Sequence, residues 1–287
     1  MPGKLIIVLG PTAVGKTDYS ISLAKKYDSP VISCDSRQIY KEMRIGTAVP
    51  SAAQLAAVQH YFIQTKSVTE PYSAGQYELD AVALIEKLFA EGHETLVMSG
   101  GTMFYIDAVC KGLDDLPSAS PELRASLLER LKNEGVTYLA EELKKADPET
   151  YYSIDVQNGQ RVIRALEVFL ETGKPLSWYK THTEKVRSFE IEKIGLTRPR
   201  DVLYSRINQR VLDMMDEGLV EEVRSLIPYR NLTALQTVGY KELFSYFDGV
   251  NTLEEAVMSI QSHTRNYAKK QMTWWKRDSS IQWTELQ

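Results

Sequence analysis

An apolar run, Leu5-Ile6-Ile7-Val8-Leu9, passes straight into Gly10-Pro11-Thr12-Ala13-Val14-Gly15-Lys16-Thr17. The second segment is a full match to the pattern of glycine, four residues, glycine, lysine and serine or threonine. No other stretch constrains the fold so strongly, because a strand, a glycine-lined turn and a helix must meet at one point. The glycines let backbone N–H groups converge on an anion, Lys16 adds a point charge, Thr17 offers a hydroxyl to Mg²⁺, and the helix turns its positive end to the same place. The loop therefore predicts a phosphate site. Whether that phosphate is reactant, leaving group or regulator stays open at this point.

Further along, Leu5–Leu9, Pro30–Cys34 and Thr95–Met98 read as buried strands, separated by helical stretches at Thr17–Tyr27 and Gly75–Glu91. Strand, helix, strand in this order predicts an α/β fold, a parallel sheet with helices on both faces, of the P-loop type. Ligands of such sheets bind at the carboxyl ends of the strands. Three segments fall there: Gly10–Thr17, Asp35-Ser36-Arg37-Gln38-Ile39-Tyr40, and Gly100-Gly101-Thr102-Met103-Phe104-Tyr105. They are expected to rim one cleft.

The texture changes from Pro117. Ser120 with Pro121 reads as a helix start, Leu123, Leu127, Leu128 and Leu131 keep helical spacing until Gly135, and Val136–Ala146 and Gly159–Glu171 carry the same period. We therefore expect an inserted all-helical domain at residues 116–185, and a catalytic core made of residues 1–115 and 186–287. Phe189–Leu196 is expected to return to the sheet, with helices from there to near the end. The last long helix, about Thr252 to Arg277, carries Arg265, Lys269, Lys270, Lys276 and Arg277 with Tyr267, Trp274 and Trp275 between them and no acid after Glu255. That pattern suits either a phosphate-backbone surface or a solvated face with aromatics turned into the core.

Composition narrows the class. The chain has 287 residues, 43% hydrophobic and 25% charged, with no apolar run long enough to cross a bilayer and no signal-peptide pattern, so a cytoplasmic globular protein is expected. A formal charge of −4 argues against coating nucleic acid by bulk charge and leaves only local basic patches for that role. Cys34 and Cys110 give neither a disulfide framework nor a zinc spacing, and read as small core residues. His60, His93, His182 and His263 show no motif spacing and are taken as structural.

Proteins that transfer a nucleotide phosphate also need an acid at a strand end to help hold Mg²⁺. Here Thr95–Met98 runs into Ser99-Gly100-Gly101-Thr102 with none. Asp35 is the better clue, a carboxylate at the tip of an internal strand beside the phosphate loop, where a second substrate would sit. The competing reading is a turn cap.

These segments, with Gly46-Thr47-Ala48, Gln160-Arg161-Val162-Ile163-Arg164-Ala165-Leu166-Glu167-Val168, Arg206-Ile207-Asn208-Gln209-Arg210, Val238-Gly239-Tyr240 and Lys269-Lys270-Gln271-Met272-Thr273-Trp274, resemble the bacterial tRNA dimethylallyltransferase family over nearly the whole chain. The resemblance implies transfer of a dimethylallyl group from dimethylallyl diphosphate to the N6 amine of the adenine just 3′ of a tRNA anticodon. Diphosphate is then the leaving group, received by Gly10, Pro11, Thr12, Ala13, Val14, Gly15, Lys16, Thr17 and Arg210, with Mg²⁺ near the Thr17 hydroxyl. Asp35 is implied as general base for the amine, with Lys16 and Thr102 completing the catalytic set. A stacked adenine must be flipped out to reach them. On the tRNA side the resemblance places Asp35, Ser36, Arg37, Gln38, Thr102 and Arg124. It adds Gln160, Arg161, Val162, Ile163 and Arg164 on the inserted domain, and Gln236, Gly239 and Lys241 elsewhere on the anticodon stem-loop. Arg161 and Arg164 share a helix face, and an ion-pair row with Glu167 or Glu171 is their alternative role. The expected state is a monomer, away from membranes. Rival readings are a prenyltransferase of free adenine nucleotides, a P-loop small-molecule kinase, and a non-catalytic RNA-binding module.

Overall fold

The computed structural model describes residues 2–287 apart from His182, which lies outside the described residues. In chain order it runs β1 (Lys4–Leu9), α1 (Lys16–Lys26), β2 (Val31–Ser33), α2 (Ala52–Ala57), β3 (His60–Tyr61), α3 (Ala74–Ala90), β4 (Thr95–Gly100) and α4 (Met103–Lys111). Then come α5 (Pro121–Glu134), α6 (Val136–Ala146), α7 (Pro148–Ser153), α8 (Gly159–Thr172) and α9 (Leu176–Tyr179). The chain returns through β5 (Glu190–Thr197), α10 (Arg200–Asp216), α11 (Leu219–Ser225), α12 (Tyr240–Phe247), α13 (Leu253–Trp275) and β6 (Ile281–Glu285). Packing divides it into two units, Met1–Lys111 with Val186–Gln287, and Gly112–Lys185.

The first unit is built on a six-stranded sheet in the order β3-β2-β4-β1-β5-β6, every neighbouring pair parallel. Leu5 to Leu9 of β1 are all at most 2% exposed, the signature of a strand covered on both faces. One layer packs Leu5, Ile7, Leu9, Leu96 and Met98 against α3 and α4, while Val8, Val97 and Leu196 meet Ala24, Leu203 and Ile207 on the other side. Register aligns Leu9 with Gly100 and with Gly195, so β1 and β4 end level while β5 runs two residues further to Thr197. Gly10 follows at φ 150°, and a Cβ there would sit 2.6 Å from the Leu196 carbonyl oxygen. Only glycine lets the loop leave β1 so close to β5.

The four expected strands appear as β1, β2, β4 and β5. Two more escaped the pattern reading: β3 has two residues, and β6 buries only Ile281 while its other residues are exposed, so neither carries a telling apolar run. The chain thus ends on a sheet edge rather than in helix. A further core holds α10 to α13 against Ile39, Tyr40 and Met43 of the segment after β2.

The second unit is all helix. Leu127 of α5, Leu139 and Leu143 of α6, and Val162, Ile163, Leu166 and Val168 of α8 form its core. Its ends follow local rules: Ser120 caps α5 ahead of Pro121, Asn158 caps α8, and Gly173 closes α8 at φ 71°. The short α7 and α9, invisible to periodicity, are tied by buried Asp147, which accepts from Thr150 N at 3.0 Å and from Ser177 N at 2.9 Å. Burial opposes ionisation of Asp147, yet the hydrogen bonds from Thr150 and Ser177 win and hold its carboxyl below the usual carboxylate range.

Candidate active site

Three loops at the carboxyl ends of β1, β2 and β4 open onto a cleft of about 910 Å³. Thr12, Ala13, Gly15, Lys16 and Thr17 line it, whereas Gly10, Pro11 and Val14 are buried beneath and shape the loop from below. Ala13 at φ 64° and Gly15 at φ 114° give the backbone its left-handed turn. Lys16 Nζ donates to the Gly10 and Pro11 carbonyls, each at 2.9 Å. Burial, aided by the Arg210 charge and opposed by Asp35, lowers the Lys16 ammonium to about 8.

Arg210 enters the same cleft from α10. Burial, and then the neighbouring Arg206, lower the pKa of its guanidinium, with Asp213 opposing. Among the described residues its guanidinium has no hydrogen-bond or ion-pair partner. Two desolvated cations facing one cavity are suited to an anion, which would offset their mutual repulsion more fully than the nearby Asp35 and Asp213 carboxylates do.

Asp35 follows β2 and its two oxygens differ. Oδ1 accepts from Arg37 N at 2.8 Å and Gln38 N at 3.2 Å, which is the turn cap that the bland reading of this residue predicts. Oδ2 has no partner among the described residues, and Asp35 lines the cleft. The cap and the functional role therefore coexist: one oxygen orients the carboxylate and the other remains free to accept a proton.

Thr102, after β4, ties the second loop to the third. Its Oγ1 accepts from Ser36 N at 2.9 Å and donates to Ser36 Oγ at 3.2 Å. Gln38 lines the cleft and donates through Nε2 to the Thr47 and Ala48 carbonyls at 3.1 and 2.9 Å. Arg37 is half-buried and makes no side-chain hydrogen bond among the described residues.

Several residues that shape the cleft had been given no role. Gln271 of α13, 1% exposed, accepts from Thr12 N at 2.9 Å and donates to the Gly101 carbonyl at 2.8 Å, joining the phosphate loop to the third loop. Tyr267, one turn earlier, donates to the same carbonyl at 3.2 Å. Glu222 of α11 accepts from Arg44, Ile45 and Gly46 N–H at 3.0, 2.7 and 3.0 Å and from Tyr240 Oη at 2.7 Å, fixing the wall that holds Thr47 and Ala48. Gln271 is an amide within a basic helix and Glu222 one of two adjacent acids, 176 residues from its Gly46 partner, and neither is a local pattern.

The terminal helix divides its aromatics. Trp275 is 2% exposed in the main core and Trp274 donates to Asp107 Oδ2 at 2.9 Å, so these two are packing residues, while Lys269 and Lys270 face solvent. With Gln236 and Lys241 these lysines line a second cavity of about 780 Å³, and Tyr267 lines both cavities. Gly239, buried at φ 96°, starts α12 and is not in that lining.

In the helical unit the expected RNA residues separate into classes. Arg124 Nη1 donates to Glu167 Oε1 at 2.6 Å and Nη2 to Gln160 Oε1 at 3.4 Å. Arg164 reaches Glu167 Oε2 at 3.4 Å and the Pro117 carbonyl at 3.0 Å, so the ion-pair alternative holds for it. Arg161 is exposed with no side-chain partner among the described residues. Val162 and Ile163 require a correction: both are 0% exposed in the helical core, where apolar side chains hold α8 against α5 and α6 and cannot touch RNA.

Among the described residues no cluster of three or more histidine, cysteine or acidic side chains is placed to hold a metal ion. No helix among them is long and apolar enough to cross a membrane.

Comparison with known proteins agrees with this geometry. The family model for IPP transferase matches residues 38–278. A tRNA dimethylallyltransferase of Phocaeicola vulgatus is 50% identical over 99% of this chain and 94% of its own length. One of Parabacteroides distasonis is 52% identical over 98% of this chain and 93% of its own. Among solved structures, the tRNA isopentenylpyrophosphate transferase of Bacillus halodurans superposes with a TM-score of 0.71 at 38% identity, covering 98% of this chain and 89% of that one. A eukaryotic dimethylallyltransferase acting on tRNA gives 0.82 at 25% identity, covering 99% and 74%. With a desolvated cationic loop, a half-free carboxylate beside it and family identity along nearly its full length, this chain belongs to the IPP transferase family.

Proposed function

We infer that this chain transfers a dimethylallyl group from dimethylallyl diphosphate to the N6 amine of the adenine next to the anticodon of tRNA. The observation that carries the reading is the pairing within one cleft of a cationic anion site, Lys16 with Arg210, and a carboxylate, Asp35, whose Oδ2 is free. In the reaction a C–N bond forms to the adenine amine and the allylic C–O bond breaks. The electron pair of that bond leaves with diphosphate. The amine proton becomes acidic as the C–N bond forms and passes to Asp35 Oδ2.

The donor groups of residues 12–17 and the Lys16 and Arg210 cations receive charge where it develops, on the departing diphosphate, so no phosphoryl transfer and no strand-end acid are needed. Thr102 acts through Ser36 to hold the loop that carries Asp35. Thr17 is the protein group suited to Mg²⁺. Among the described residues no acidic cluster stands beside it, so the Thr17 hydroxyl is the side-chain group that would hold the ion. Held there, Mg²⁺ would supply charge neutralisation for the diphosphate. For tRNA, Arg161 of the helical unit and the Gln236, Lys241, Lys269 and Lys270 cluster supply backbone contacts, and Ser36, Arg37 and Gln38 lie on the acceptor side.

Incubating the protein with unmodified tRNA, Mg²⁺ and dimethylallyl diphosphate, and then weighing the nucleosides, tests this directly. A mass gain of one dimethylallyl group on adenosine is expected. Modification of free AMP but not tRNA would move the assignment to the nucleotide prenyltransferases. Turnover of ATP with a small acceptor would move it to the kinases.

A further inference from the structure

The anion loop is gripped from outside at three successive residues. Gln271 takes the Thr12 N–H, Arg206 Nε donates to the Ala13 carbonyl at 2.9 Å, and Arg198 Nε donates to the Val14 carbonyl at 2.9 Å. Arg198 stands in the connection between β5 and α10, and Arg206 lies two turns into α10. The glycine-lysine pattern demands neither arginine.

Each of those carbonyls shares a peptide unit with the next N–H. The Ala13 oxygen is conjugated to Val14 N–H, and the Val14 oxygen to Gly15 N–H. A charged donor on the oxygen draws electron density through the amide and makes the N–H a stronger donor. Val14 N–H already has a long bond of 3.3 Å to the Pro11 carbonyl. Gly15 N–H has no partner among the described residues and belongs to a residue that lines the cleft. Arg198 itself does not line the cleft, and it stands behind the peptide it holds, its Nη2 3.6 Å from where a Gly15 Cβ would lie. Its Nη1 also donates to the Gln287 backbone carbonyl, and that contact fixes the guanidinium at the back of the loop.

We propose that Arg198, with Arg206 as its companion, is a positioning residue for the departing diphosphate, holding and polarising the peptide units whose N–H groups receive it. The inference rests on the reading of residues 12–17 as the diphosphate site. It assigns the arginines a share in leaving-group stabilisation, because a donor strengthened from behind gains most where negative charge grows.

The test titrates inorganic pyrophosphate with Mg²⁺ into the full chain and into its R198Q, R198K and K16A variants, and follows KM for dimethylallyl diphosphate and for tRNA. R198Q keeps a neutral donor and should weaken pyrophosphate binding about tenfold, with a matching rise in KM for the allylic diphosphate and an unchanged KM for tRNA. R198K should recover part of the loss, and the loss should persist in about 0.5 M salt, where long-range charge effects are screened. Unchanged pyrophosphate affinity in R198Q beside a large loss in K16A would overturn the inference and leave the diphosphate site standing. A loss that vanishes in high salt would overturn it in favour of bulk charge. No effect of K16A would instead bring down the diphosphate reading itself. If R198Q does not fold, R206Q carries the same comparison at the Ala13 carbonyl.

Discussion

The two units use arginine in opposite ways. In the cleft of the sheet unit, Arg210 sits desolvated with no partner among the described residues, beside Lys16, whose ammonium is lowered to about 8. In the helical unit, Arg124 and Arg164 converge on Glu167, which is 1% exposed, and the three groups satisfy one another. The first arrangement stores electrostatic tension that an anion relieves. The second resolves its charge internally and contributes to packing, while Arg161 on the same helix stays exposed. A basic residue in a family motif is therefore not evidence of a ligand contact until its partner is known.

The contrast is sharpest at Asp35. D35N keeps an oxygen to accept from Arg37 and Gln38 N–H but removes the proton acceptor. Turnover should fall by about two orders of magnitude or more with tRNA affinity nearly unchanged, measured by single-turnover kinetics and filter binding. Unaltered turnover would remove Asp35 from the chemistry.

In the helical unit the largest effect is expected at Glu167. E167A leaves the partly exposed Arg124 and Arg164 without their shared carboxylate and opens a buried site, so it should cost about 1–2 kcal/mol of stability, read by urea denaturation. An effect confined to tRNA affinity, with stability intact, would reverse the assignment of those arginines.

Lys16 makes a pH prediction. Its cationic form is the one that attracts diphosphate, and its depressed value puts deprotonation near pH 8. kcat/KM for dimethylallyl diphosphate should hold below about pH 8 and decline by up to tenfold per pH unit above it. A flat profile to pH 10 would show that Lys16 retains an ordinary lysine value in the free enzyme.

The smallest effect belongs to Arg161. R161A should weaken tRNA binding only a few-fold and reduce the slope of log K against log salt by about one, with catalysis of bound tRNA unchanged. An identical slope would place the RNA elsewhere on this unit.

The legible part of the molecule was the part encoded by local periodicity and short motifs. The buried runs named β1, β2, β4 and β5, and the leucine spacing named α5, α6 and α8. By contrast β3 and β6 carry too few buried residues to stand out, and α7 and α9 depend on the Asp147 carboxylate that caps both. Asp35 and Lys16, which both line the cleft, stand out in the sequence because each sits beside a glycine-rich or strand-end signature. Val162 and Ile163 were misassigned because a motif marks a segment, whereas a helix turns its side chains to different faces. Between the polar Arg161 and Arg164, those two apolar residues point into the core.

Sequence alone was enough to specify a glycine-lined, lysine-bearing turn between a strand and a helix, since glycine freedom and hydrophobic run length act over a few residues. It also placed a carboxylate just after β2, one strand removed from β1 in the sheet. Tertiary structure decided which oxygen of Asp35 is free, which arginines are paired, and what clamps the loop. Thr12 meets Gln271 across 259 residues, and Val14 meets Arg198 across 184. Such contacts arise only when the sheet brings β1, β5 and α13 together, because their energy depends on distances that no local pattern encodes.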